Sequence, residues 1–178
     1  MMEQIPGLVN FSMKGACIPT KNCKKVRFIL YGHIFMTILP NNDPGWKDRQ
    51  EHSTTPPLAR KAPIKVFKEH VLEHEFVHYN GAISTFNEAL NVSVFEREYD
   101  NKEDAETACS CGADIISGLE KKWGSLGGDF DIEDRIEMHD RFPTVESLKF
   151  DHGAKFNEVL NDVLKKRPDC LKLWNKIS

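Results

Sequence analysis

The chain lacks any run of the ~18 consecutive apolar residues that a membrane-crossing helix requires. Its longest apolar stretch, Phe28 to Leu39, is interrupted by Gly32, His33 and Thr37. It also lacks an excess of one charge. The 24 basic and 27 acidic side chains leave a net charge of -3, which excludes a strongly basic nucleic-acid wrapper and leaves only a local basic patch open. Cysteine is scarce. The five (Cys17, Cys23, Cys109, Cys111 and Cys170) are odd in number and irregular in spacing, and such a set points to a reducing compartment. Near the start, Glu3 and Pro6 stand where a signal peptide would carry a basic segment leading into an apolar one. No internal repeat and no low-complexity tract occurs. These absences describe a soluble, cytoplasmic protein with no membrane partner.

What is present suffices for a folded core. Hydrophobic residues make up 40% of the 178, with 11 Phe among them, a length and composition that suit one domain over 1–178. Residues 1–23, punctuated by Gly7, Gly15 and Pro19, read as irregular and partly loose. From Lys24 the alternation of Val26, Phe28 and Leu30, broken near Gly32 and resumed at Ile34, predicts two strands or one bent strand. Residues 40–63 hold five of the nine prolines and read as a long loop bordering a substrate cleft.

The pattern then turns helical. Phe67, Val71, His74 and His78 share one face of a helix predicted from Pro63 to about Tyr79, with Gly81 placed to end it. Residues 83–99 read either as helix or as a helix running into a strand. A capping-box pattern at Asp100 and Glu103 opens a second helix, whose stripe is Ala105, Ala108, Gly112, Ile115, Leu119 and Trp123. Gly124, Gly127 and Gly128 are expected to stop it. Residues 129–147 read as an acidic loop with a short helix near 132–139. A last helix, capped by Asp151, carries Phe156, Val159, Leu160 and Val163 and ends before Pro168.

His74-Glu75-Phe76-Val77-His78 matches H-E-x-x-H inside the first of these helices. Residues at i and i+4 leave a helix on one face, so both imidazoles can reach one Zn²⁺, with Glu75 beside them as a general base. With 7 His and 15 Glu in the chain, chance supplies about 0.02 such matches. A surface helix with solvated Glu69, Glu73, His74 and His78 is the competing explanation, but both histidines continue the apolar face of Phe67 and Val71. His70, one turn earlier, reads as solvated. The Cys109-x-Cys111 pair faces two sides of a helix and does not read as a zinc knuckle. The cluster Lys21, Lys24, Lys25 and Arg27 reads as a solvated strand end.

The run from Pro63 to His78 resembles the active-site helix of zincin metallopeptidases. That resemblance implies an α+β domain in which a small mixed sheet, here residues 24–39, packs on the active-site helix and two further helices, with an edge strand that binds the substrate backbone. It also implies Zn²⁺ as cofactor, His74 and His78 as ligands and a protein or peptide as substrate. A third ligand is required. Glu106, 28 residues after His78 on the next helix, is similar to the carboxylate that completes gluzincin sites, although Ser110 stands where those enzymes usually carry an acidic residue. Asp151-His152-Gly153-Ala154-Lys155-Phe156 is similar to the H-G-x-x-F segment of SprT-like peptidases, where the His is the ligand. The spacing from His78 to His152 is much longer than in that family. Glu106 is taken as the ligand, and His152 stays in the site as the alternative ligand or as a transition-state donor. A SprT-like role would imply DNA-linked protein substrates, for which the charge balance gives faint support.

The expected activity is therefore zinc-dependent peptide hydrolysis, with Zn-bound water deprotonated by Glu75 and the proton passed on to the leaving amine. Two other readings remain: an inactive zincin scaffold that only binds, and an effector-type protease with a single protein target. Substrate identity and oligomeric state are not legible in the sequence.

Overall fold

Strand β1 (Gly7–Thr20) opens the chain, although glycine and proline had suggested an irregular segment. Val9, Phe11 and Met13 are buried at alternate positions, and Gly15 is a packing residue and not a breaker. A Cβ there would stand 2.2 Å from Cζ of Phe28. Strand β2 (Lys25–Ile38) runs unbroken through Gly32, where a Cβ would lie 2.0 Å from the Ser12 carbonyl oxygen of β1. Glycine lets the two strands approach, so of the two expected arrangements, two strands or one, the single strand forms. Strand β3 (Phe95–Glu98) pairs antiparallel with β2, Lys25 opposite Glu98 and Phe28 opposite Phe95. The three-stranded sheet has the order β1-β2-β3 and is antiparallel, where a mixed sheet was expected. The fold is α+β.

This computed structural model describes residues 7–20, 23–93, 95–140 and 156–174. Two short helices, α1 (Gly45–Glu51) and α2 (Pro57–Lys61), occupy the proline-rich segment that had read as loop. Proline fits there because it stands at the ends of the helices, where no intrahelical N–H is lost. Helix α3 (Ile64–Ser93) does not stop at Gly81: Ala82, Thr85 and Ala89 are wholly buried beyond it, and their packing offsets the ~1 kcal/mol that glycine costs a helix. Helix α4 (Lys102–Asp140) likewise runs on through Gly124, Gly127 and Gly128. Its cap is one residue later than expected, with the Asp104 N–H donating to Asn101 Oδ1 at 2.8 Å. Helix α5 (Phe156–Lys166) ends before Pro168, as its pattern indicated, and α6 (Pro168–Trp174) follows. Among the described residues no helix is long and apolar enough to cross a membrane.

The chain forms two compact units, and α3 and α4 each contribute to both. Unit 1 takes in residues 1–10, 34–82 and 125–152. Its core is Trp46, Ala59 and Phe67, with Ile38, Leu39 and Val71 packed against them. Trp46 meets Phe67 edge-on at 6.4 Å and donates its indole N–H to the Pro40 carbonyl at 2.9 Å. The buried Gln50 amide donates to the Ala59 and Ala62 carbonyls at 2.9 and 2.8 Å, which satisfies the end of α2. Unit 2 takes in residues 11–33, 83–124 and 153–178. At its centre the fully buried Phe28 ring fills the space left by Gly15 and Gly112, and the stripe Ala105, Ala108, Ile115 and Leu119 of α4 is buried as its spacing indicated. Phe11 and Trp123 make an edge-to-face pair at 5.0 Å.

Candidate metal centre

Helix α3 places His74, Glu75 and His78 within unit 1. The helix begins behind Pro63, whose carbonyl accepts the Phe67 N–H at 3.1 Å, and a Lys65–Glu69 pair lies along its outer side. Phe67 and His70 are buried two turns and one turn before the motif, so the face carrying the histidines points inward. His70 was expected to be solvated. The structure buries it, because it lies three positions after Phe67 and four before His74.

Three ligand-type atoms converge at the end of this face. Nε2 of His74 and Nε2 of His78 lie 3.1 Å apart, and Oδ1 of Asp131 stands 3.1 Å from the first and 3.0 Å from the second. The imidazoles are T-shaped, with centroids 4.8 Å apart. Their side chains are 18% and 12% exposed, whereas that of Asp131 is 50% exposed, so the cluster is walled on the helix side and open on the carboxylate side. Burial alone would raise the Asp131 carboxyl's pKa. Hydrogen bonds from both histidines, together with their charge, outweigh it and hold the group well below the usual carboxylate range.

Glu75 occupies the adjoining position and is itself buried. Burial pushes its pKa upward; the His74 and His78 charges pull it down, Asp131 pushes it up, and a hydrogen bond from the Val9 N–H pulls it down. The net direction is upward. A buried carboxyl group next to two imidazoles, its pKa moved upward, is suited to taking up and giving back a proton.

The sequence reading missed Asp131. It lies 53 residues after His78, on the part of α4 that had read as acidic loop. Its approach depends on Gly127, one turn earlier on α4, where a Cβ would come within 3.3 Å of Nδ1 of His78. Glycine thus lets the α4 backbone approach the imidazole, and Asp131, four residues on, projects from the same face. Glu106 belongs to unit 2, where its exposed carboxylate pairs with Lys102 at 3.3 Å. Glu103, its neighbour, is exposed in the first turn of α4. His152 and Asp151 lie outside the described residues.

The donor set fits a divalent metal. Two imidazole nitrogens and a carboxylate oxygen converge on one point, and when the imidazole protons on that side are released the three atoms offer lone pairs to a single cation. Tetrahedral Zn²⁺, with bonds of ~2.0–2.1 Å, separates its ligand atoms by ~3.3 Å, so the three atoms need move apart by only a few tenths of an ångström. A second group, Cys111, Asp169 and Cys170, also brings ligand-type atoms together, but its two sulfurs are bonded to each other. No family model, no curated protein and no solved structure matches the chain.

Proposed function

We propose that the protein is a zinc-dependent metallopeptidase that hydrolyses peptide bonds in a protein or peptide substrate. The observation that carries this reading is the convergence of His74, His78 and Asp131 beside a buried Glu75. His74 and His78 would hold the metal from α3 and Asp131 from α4, with the exposed side of the cluster left for water and substrate. Zinc bound there supplies Lewis acidity toward the scissile carbonyl and acidifies water. Glu75 takes the proton from the attacking water on a carboxylate oxygen and delivers it to the nitrogen of the leaving amine. The Val9 N–H bound to the same carboxylate restrains its orientation, so less freedom is lost as the proton moves.

The test is metal content followed by turnover. Purified wild-type protein should carry about one zinc per chain, since three protein ligands with an open position make one catalytic site. The Glu75→Gln variant should keep that zinc while peptide hydrolysis falls by ~10²–10⁴-fold, because the amide preserves shape but accepts no proton. Protein that takes up no zinc even when it is added would sink the proposal. A Gln variant with full activity would remove Glu75 from its role. Zinc bound without hydrolysis of any peptide library would favour a binding protein on the same scaffold.

A further inference from the structure

Unit 2 contains all five cysteines: Cys17 on β1, Cys23 in the turn after it, Cys109 and Cys111 on α4, and Cys170 on α6. Cys109 and Cys111 are two positions apart, so they leave the helix about 200° from each other and cannot share a partner. Each has its own. Cys17 is bonded to Cys109 and Cys111 to Cys170, with Cα separations of 5.6 and 5.7 Å. Cys111 and Cys170 are completely buried, and Cys23 remains a thiol on the surface. A thiolate metal site at Cys111, Cys170 and Asp169 is the rival reading. It is disfavoured because both Asp169 oxygens are engaged by the Arg167 guanidinium at 2.8–3.2 Å, and Arg167 in turn bridges to Asp114 on α4 at 2.5 Å.

The Cys111–Cys170 bond ties down the shortest helices of unit 2. Helix α6 has seven residues and α5 eleven, too few to be helical alone. Among the described side chains they bring Val159, against Gly118, and the buried Leu173 to unit 2. The two bridges join residues 92 and 59 positions apart, and closing loops that long removes much entropy from the unfolded chain.

We propose that unit 2 is completed by oxidation: the protein matures in an oxidising compartment, and the Cys17–Cys109 and Cys111–Cys170 bonds latch β1 and α5–α6 to α4. Each bond forms by thiol–disulfide exchange with a protein or glutathione disulfide. One thiolate attacks the oxidant's disulfide, giving a mixed disulfide and releasing one thiolate. The second cysteine thiolate then attacks the chain's sulfur in that mixed disulfide and displaces the oxidant's other thiolate. The chain's two thiols lose two electrons and two protons, and the oxidant leaves as two thiols. The reducing compartment expected from an odd, irregular cysteine count is replaced in this proposal by its opposite, since the irregular spacing conceals two pairings that leave only Cys23 over. The inference does not rest on the peptidase reading, and zinc content is not one of its readouts.

The experiment uses the full chain, folded in a glutathione redox buffer, then denatured and alkylated with and without prior reduction. The expected masses show one alkylated cysteine without reduction, mapping to Cys23, and five after it, with peptides linked as 17–109 and 111–170. The Cys111→Ser/Cys170→Ser double variant should melt about 10 °C or more below wild type and show faster amide exchange in α5 and α6. Five reactive thiols before reduction, or different linkages, would overturn the proposal. So would a wild type whose melting temperature is unchanged by excess dithiothreitol.

Discussion

Unit 1 surrounds a small aromatic core with polar devices: the Trp46 indole on a carbonyl, the Gln50 amide across two more, and a ring of imidazole and carboxylate groups at His74, His78 and Asp131. Unit 2 instead closes a larger apolar core around Phe28 and fastens it with two disulfides. The contrast separates two ways of stabilising a small fold. One unit keeps a cluster of two imidazoles and a carboxylate whose converging atoms suit a single cation. The other spends its cysteines on covalent closure and leaves no comparable cluster among its described residues.

The largest expected effect concerns which unit supplies the third ligand. Asp131→Ala should weaken zinc binding by more than ~100-fold, since it removes a group in direct reach of both imidazoles. Glu106→Ala should change zinc affinity by less than threefold, because its carboxylate pairs with Lys102 in unit 2. Competition against a chromogenic chelator measures both. The reverse order would return the site to the arrangement that its resemblance to gluzincins implied.

Core truncation should produce the next effect and sharpen the contrast in packing. Phe28→Ala should cost ~4–5 kcal/mol, the upper part of the range for a buried phenylalanine. Its ring is flanked by Gly15 and Gly112, which carry no side chains to collapse into the space. Phe67→Ala should cost nearer ~3 kcal/mol, because its partly buried neighbours Ile38, Leu39 and Val71 are free to shift inward. Urea unfolding of both variants with disulfides intact tests this, and a larger loss for Phe67→Ala would contradict it.

The smallest effect is electrostatic. Glu96 on β3 accepts from Lys25 and from Arg27 on β2 at 2.6 Å, and these partners hold its carboxyl below the ordinary range. A depressed folded-state value means that the pairing contributes above the unfolded-state pKa and is lost as pH falls through the folded one. Glu96→Gln should therefore lower the melting temperature slightly at pH 7, and less as acid is added or salt is raised. A loss that grew on acidification would show that the pairing contributes nothing.

Local spacing alone placed the H-E-x-x-H motif on a helix, since two residues four apart necessarily share a helical face. The buried stripe of α4 and the end of α5 before Pro168 were legible for the same reason: each depends on neighbours within a few turns. Glycine misled at Gly81, Gly124, Gly127 and Gly128, because its cost to a helix is only about 1 kcal/mol per residue, and beyond Gly81 the buried Ala82, Thr85 and Ala89 offset it. At Gly15 and Gly32 the missing side chain accommodates a ring and a neighbouring strand, a role visible only when both partners are in place. Asp131 and the disulfide partners belong to the same class. Nothing in an acidic stretch 53 residues from His78, or in cysteines 59 and 92 residues apart, marks which will meet. Such meetings depend on how α3, α4 and the strands pack, so the motif and its helix are properties of the sequence, whereas the carboxylate facing the histidines and the cysteine pairing are decisions of the tertiary fold.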